Sequence, residues 1–475
     1  MAPRSLSTPR AVAMGVAAVL GMAALVGAGT LGFVSPGAKA IASAVVPEPV
    51  ATANFAASRP APSAPQDDLL FPTCSLQNLV QDSSLGEFHG VVMDPRSGVT
   101  VFDREATLGV APASVLKIIT AAAALSVLGP DVTFSTRVLS TDTPGTIALV
   151  GGGDATLSSL EAEDVSVYVG APRFSVLAAQ TIAALSVGLA EGEKVEVSEL
   201  VVDASLWDPE DSWDSSWATS ARSRGFMSRI SALQVDGDRQ DPRIAMSPRS
   251  NNPTKNAAES FVQALTAAGN TSRFVALTYG ASDPGGTVLA SVESRPLVEL
   301  VTYMLKESDN TLAEMLARQV SLEMGFDGSS ASLGEALVSA LDPYGVDATE
   351  VSIRDGSGLS DLNRVSAQYV GGVLVEAFRS QGSLGLIAEA LPIAGVDGSL
   401  GSRFAGDNAV AQQRVQAKTG TISGTRSLAG FVQSADGTDL VFAFFAHGDV
   451  DDDARTAIET VVSGVYSCGS NLADF

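Results

Sequence analysis

The sequence predicts an α+β fold interrupted by a largely β module, and three observations predict it. Alanine- and leucine-rich helical texture marks residues 112–129 and returns from 295. Between about 131 and 294 the pattern changes to short β-like runs divided by turn residues. Near the end, three strand-like runs joined by short turns precede a last helical stretch. The length of 475 residues suits two or three domains rather than one. Apolar residues make up 45% and charged residues 17%, enough to build a large core.

The elements follow in order. Residues 11–34 carry no charge and come after Arg4 and Arg10, the mark of an exported chain. The run is long enough to span a bilayer, and small-x-small sites follow at 38–40 and 42–44. A cleaved signal peptide and a retained membrane anchor therefore both stand for residues 1–44. Residues 45–68 hold five prolines among Ala and Ser and read as an extended linker. Residues 86–103, GEFHGVVMDPRSGVTVFD, read as two strands about an Asp-Pro-Arg-Ser-Gly turn. PASVLKIITAAAALSVLG, 112–129, is punctuated by Pro112 and Gly129 as a buried helix. The β-like runs VTFSTRVLS, TIALVGGGD, KVEVSELVVD and RFVALTYG fall in the middle, together with an acidic stretch bearing Trp207, Trp213 and Trp217, which read as packing anchors. Residues 414–420, 426–434 and 439–446 read as an antiparallel meander, with His447 at a strand end. Asp451–Asp453 cap the final helix. The expected division is an α+β domain in two parts, 69–130 and 295–475, with 131–294 inserted.

Composition narrows the chemistry. A formal charge of −24 repels phosphate backbones and argues against nucleic-acid binding. With two histidines and two cysteines, neither a His/Cys zinc site nor a histidine triad is indicated, and no organic cofactor is implied. Cys74 and Cys468 sit near the two ends of the folded part, and in an exported chain they suggest one disulfide.

Lysine is scarce, at six positions. Lys117 follows Ser114 by three residues, which on a helix puts both side chains on one face. A serine hydroxyl needs a base to become a nucleophile, and a desolvated lysine can serve. Ser308-Asp309-Asn310 follows a helical run and can relay a proton and hold a substrate carbonyl. Lys418-Thr419-Gly420-Thr421 ends a strand-like run and can bind a carboxylate, with a backbone N–H for an oxyanion. Each element alone is weak. The ordered set S-x-x-K, S-D-N, K-T-G is the signature of serine β-lactamases and penicillin-binding proteins.

With these motifs the chain resembles the class C low-molecular-mass penicillin-binding proteins, the D-alanyl-D-alanine carboxypeptidase/endopeptidase family. GGGD at 151–154, SALQVDG at 231–237, DGSGLS at 355–360, LPIAGVDGSLGSR at 391–403 and AKTGTISGTRSLAG at 417–430 carry the resemblance further, over roughly 70–475. It implies a five-stranded antiparallel sheet with helices on both faces. It implies Ser114 as acylated nucleophile, Lys117 as its base, Ser308 and Asn310 for proton relay and substrate orientation, and Lys418 and Thr419 for the terminal carboxylate. The N–H groups of Ser114 and Thr421 would form the oxyanion hole. The partners implied are peptidoglycan stem peptides and β-lactams as covalent inhibitors, on the extracytoplasmic side of a bacterial membrane. Two other functions compete: a serine β-lactamase and a non-catalytic binder of cell-wall peptides. Three departures from the family stand out. Gly-Asp-Ala replaces Gly-Asp-Pro at 153–155, Asp361 follows DGSGLS, and the segment SARSRGFMSRI lacks the aromatic residue expected of it. For Asp208, Asp211 and Asp214 the expectation is a solvated acidic loop, with contact to the ammonium of a diamino-acid stem as the alternative.

Overall fold

Strand β10 (Asp439–His447) explains the architecture. Its sequence is apolar almost throughout, because successive side chains point to opposite faces and both faces are covered. Leu440, Phe442, Phe444 and Ala446 enter one core cluster, shared with the last helix. Val441, Ala443 and Phe445 enter the other, shared with the helices of the opposite layer.

The computed structural model describes residues 73–380 and 382–473, which fall within one contact-dense unit, Leu69–Phe475. The signal or anchor segment and the linker, 1–68, lie outside the described residues. Strands β1 (Glu87–Met93) and β2 (Thr100–Arg104) form the predicted hairpin. Helix α1 (Leu116–Val127) follows. Strands β3 (Ser135–Ser140) and β4 (Thr146–Val150) lead to α2 (Phe174–Ser186) and β5 (Glu199–Asp203). A short turn of helix, α3 (Ser220–Ser223), precedes α4 (Pro253–Ala268), β6 (Ala276–Tyr279) and β7 (Val288–Glu293). Helices α5 (Leu297–Glu307), α6 (Asn310–Glu323), α7 (Leu333–Ser339), α8 (Ala367–Arg379) and α9 (Leu386–Ala390) come next. Strands β8 (Val415–Ile422), β9 (Thr425–Gln433) and β10 form the meander, and α10 (Asp452–Cys468) closes the fold.

The first sheet runs β2-β1-β10-β9-β8 and is antiparallel throughout. Helices α1 and α8 cover one face and α10 the other, as the fold class requires. Helix α1 is buried from Leu116 to Leu125, so its alanine-rich composition is that of a helix enclosed on all sides. Asp451 caps α10 by accepting from the N–H of Asp453. Cys74 and Cys468 are joined, tying the first described residues to the end of α10.

The second sheet, β6-β5-β4-β3-β7, is built wholly from strands between Ser135 and Glu293. Strands β4, β5 and β6 are parallel. Parallel neighbours need long crossovers, and α2 and α4 lie in them. These two helices and β7 were not read from the sequence. Helix α2 has no side-chain cap and little amphipathicity, and in α4 the signals of the Asn252 cap, Pro253 and Gly269 were outweighed by the neighbouring β-like runs. Among the described residues no helix is long and apolar enough to cross a membrane.

Candidate active site

Ser114 sits on a single tight turn, 113–115, at the head of α1. The N–H groups of a first helical turn lack intrahelical partners, and the dipole there favours negative charge. The turn is held in a conformation few residues adopt, with Ala113 at φ 48°. Two glycines make this possible. Gly358, at φ +80°, lies so close that an added Cβ would come 1.9 Å from the Ala113 carbonyl oxygen. Gly420 of β8 passes on another side, where a Cβ would come 2.1 Å from Ser427 Oγ and 3.0 Å from Ala113 Cβ. The Ser427 hydroxyl in turn donates to the Pro112 carbonyl at 2.7 Å.

Lys117, in the first turn of α1 and one turn beyond Ser114, is completely buried. Its Nζ lies 3.0 Å from Ser114 Oγ, 2.6 Å from Asn310 Oδ1 and 2.6 Å from the Ser357 carbonyl oxygen. Burial pushes its pKa down to about 8, against the opposing pull of Asp355, Glu314 and Asp309.

The helical texture at 297–323 is two helices, because Ser308 adopts a left-handed conformation, φ 59°, at the end of α5. Asp309 then caps α6 through the Leu312 N–H, and Asn310 opens that helix. Ser308 and Asn310 thus project from a fixed corner. Asn310 also donates from Nδ2 to the Phe226 carbonyl at 3.0 Å.

Lys418 is buried on β8 and donates to Ser308 Oγ and to the Thr419 carbonyl, each at 2.9 Å. Burial, and then the nearby Lys117, hold its pKa well below the ordinary lysine value. The Thr419 hydroxyl donates to Ser399 Oγ at 2.9 Å. Strand β8 is a sheet edge whose outer side pairs with residues 392–394: the Ala417 N–H donates to the Pro392 carbonyl. Alternation along a strand turns the N–H groups of Thr419 and Thr421 to that same outer side. There they border the cleft instead of a partner strand.

A cleft of about 710 Å³ brings Ser114, Ser308, Asn310, Thr419 and Thr421 together. Lys117 and Lys418 lie behind its wall, and Gly420 lies beneath the serine turn. Phe226 and Arg224 line it as well, with Arg224 stacked 4.9 Å from the Phe226 ring centre. An aromatic ring is thus supplied by the very segment read as lacking one. Asp361 is at the rim of the same cleft.

The acidic stretch at 203–217 behaves differently from expectation. Asp211 is held by Arg318 and by the N–H and hydroxyl of Ser330. Asp214 is buried against Arg354 and Ser216. Asp208 accepts from the Glu210 N–H within its own turn. Internal partners occupy Asp211 and Asp214, so neither is free to meet a substrate ammonium. Trp207 and Trp217 are buried, and Trp217 donates to Asp355 at 2.8 Å, as packing anchors should. His447 ends β10.

Other residues of the site were missed in the sequence. Asp309 is buried and accepts from Tyr168 and Arg239, each at 2.8 Å, so the middle segment grips the Ser308–Asn310 corner. Burial raises the Asp309 carboxyl, but Arg239 and Arg249 outweigh it and hold it at about 2. GGGD and SALQVDG meet through the Gly153 N–H and the Ala232 carbonyl, and Gln319 of α6 donates to Gly152. Ser399 and Ser357 lie in stretches that carried the resemblance. No local pattern marks Arg239, Tyr168 or Glu314.

Residues 73–249 and 239–466 match the model of the D-Ala-D-Ala carboxypeptidase 3 (S13) family. The chain belongs to that family. It is 32% identical over 413 residues to carboxypeptidase DacB of Mycolicibacterium smegmatis, covering 85% of this chain and 86% of the relative. It is 29% identical to the D-alanyl-D-alanine carboxypeptidase of an Actinomadura species, covering 78% and 80%. The crystal structure of penicillin-binding protein 4 from Haemophilus influenzae shares the fold, with a TM-score of 0.67 at 22% identity over 82% of this chain and 98% of that one. This S13 member is therefore a class C low-molecular-mass penicillin-binding protein and a serine-type D,D-peptidase of peptidoglycan. The β-lactamase and non-catalytic readings give way to it.

Proposed function

We propose that Ser114 is the acylated nucleophile of this peptidase and that Lys117 takes its proton. The observation that carries this is the 3.0 Å approach of Lys117 Nζ to Ser114 Oγ, on an amine whose other neighbours are two fixed oxygen acceptors. A neutral amine has two N–H donors and one lone pair. If the donors go to Asn310 Oδ1 and the Ser357 carbonyl, the lone pair is left for the Ser114 hydroxyl. Attack on the penultimate D-Ala carbonyl places negative charge at the N–H groups of Ser114 and Thr421. Ser308, hydrogen-bonded to Lys418, passes a proton to the departing amine, and Asn310 orients the substrate amide. Lys418 and Thr419 hold the terminal carboxylate of a stem peptide. Departure of that amine releases D-alanine or cuts a cross-link, and water then hydrolyses the acyl-enzyme to free the shortened peptide and restore Ser114.

The same route traps β-lactams. The H. influenzae relative has been crystallised with a β-lactam, and a ring amide offered to Ser114 acylates it in the same way. The experiment is intact mass after incubation with benzylpenicillin. Wild type gains one covalent adduct, and Ser114→Ala gains none. A wild-type protein that stays unmodified sinks the nucleophile assignment. Release of D-alanine from a pentapeptide, followed in parallel, tests the peptidase step.

We further infer that 69–130 and 295–475 form one catalytic domain and that 131–294 is inserted in it. Support comes from two sheets that draw their strands from those separate stretches. The disulfide and the peptidoglycan substrate support an extracytoplasmic location for the folded part.

A further inference from the structure

Glu314 is a charged side chain that the reaction does not use directly, yet it is 1% exposed. It lies one helical turn beyond Asn310 on α6, so the two share a helix face. Its carboxylate accepts from two successive backbone N–H groups, Ser357 at 2.8 Å and Gly356 at 3.1 Å. The carbonyl of that same Ser357 accepts from Lys117 at 2.6 Å. Asp355 braces the loop from its other end, accepting from the N–H groups of Gly358 and Ser360 and from Asn363 and Trp217.

We propose that Glu314 is a positioning residue for Lys117: by clamping the Gly356–Ser357 backbone it fixes the carbonyl that orients the lysine's lone pair at Ser114, and its charge biases that amine. The proposal rests on the Ser114–Lys117 reading above and deepens it. One helix then sets the amine twice, directly through Asn310 and indirectly through Glu314.

The charged surroundings are few. Lys117 is faced by Asp355 from the bracing loop, by Glu314 and Asp309 from α6 and its cap, and by Lys418 from β8. Glu314 is faced by Asp355 and by Arg318, one turn further along α6. Burial and then Asp355 push the Glu314 carboxyl up to about 8, against the pull of the two backbone N–H groups and Arg318, so its charge acts on the upper part of the range in which Lys117 loses its proton. A carboxylate near Lys117 favours the protonated amine, so removing that charge moves the lysine's ionisation to lower pH.

The test is the pH profile of acylation by benzylpenicillin, with folding checked by thermal unfolding. Glu314→Gln removes the charge and sets an amide N–H₂ against one backbone N–H. Its limiting acylation rate is expected to fall about tenfold or more, within what a positioned base contributes, and its acid limb should move to lower pH. An acid limb that stays at the wild-type midpoint overturns the proposal, whatever the rate. Glu314→Asp keeps the charge but withdraws it from the two N–H groups. It should lose limiting rate with the acid limb in place, and wild-type speed in this variant also overturns the proposal. Should Glu314→Gln fail to fold, the Asp variant decides. Failure of the underlying reading is separately visible, since wild type itself would then form no adduct.

Discussion

Lys117 shows what burial does to a single residue. Stripped of water, its amine ionises near pH 8 despite three carboxylates in range. A base must be neutral to accept a proton, so acylation of Ser114 should rise with pH up to and through about 8 and then level. Rapid-quench or stopped-flow acylation between pH 6 and 10 checks this, and a profile flat across that range contradicts it. Asp309 shows the opposite case, a carboxylate kept charged by the buried guanidiniums beside it. Asp309→Asn leaves Arg239 buried without its counter-ion, an arrangement that costs about 3–5 kcal/mol. Urea unfolding should register that loss, together with slower acylation, because the same carboxylate caps α6 under Asn310. The residues themselves were legible only in part. Ser114, Lys117, Ser308, Asn310 and Lys418 announced themselves by type and spacing. Glu314, in TLAEMLARQ, reads like any solvent-facing glutamate, and its burial comes from a loop more than forty residues away.

Among the elements, strand β8 and the turn at Ser114 depend on each other. The edge strand can run close to the turn only where it carries no side chain, at Gly420. Gly420→Ala would press a methyl group into Ser427 Oγ, the Ala113 Cβ and the Pro112 carbonyl. We expect a stability loss of about 1–3 kcal/mol, the usual range for overpacking, and at least a tenfold fall in acylation as the oxyanion donors part. Thermal unfolding and adduct formation measured side by side check this, and unchanged acylation would show that the contact does not set the site. At this scale the sequence was informative where composition and bounding residues mark an element, as with Pro112 and Gly129 around α1. The β1–β2 hairpin, α1, the closing meander and α10 stand where they were read. Helix α2 was missed because neither a cap nor a strong apolar stripe marks it, and α4 because the β-like runs on either side outweighed its Asn252 cap and Gly269 stop. The break at Ser308 was hidden for a similar reason, since a left-handed non-glycine residue is stabilised by what surrounds it.

For the whole molecule, the Cys74–Cys468 bridge closes a loop of 394 positions. Reduction should destabilise the folded unit by about 2–5 kcal/mol, with a lower thermal midpoint in the presence of reductant. An unchanged midpoint would show that burial of Leu76, Val80 and α10 holds the terminus unaided.

By itself the sequence determined which atoms could do the chemistry and the local elements that carry them, because nucleophile, base and glycine turns are properties of short spacings. Tertiary structure alone decided that three separated motifs meet in one cleft, and which carboxylates are consumed internally. Asp211 and Asp214 pair with arginines and serines, Asp309 pairs with Arg239 beneath Asn310, and Glu314 holds the Gly356–Ser357 backbone. The physical reason is that a charge's role depends on its water and its partners, and folding sets both through contacts far apart in the chain.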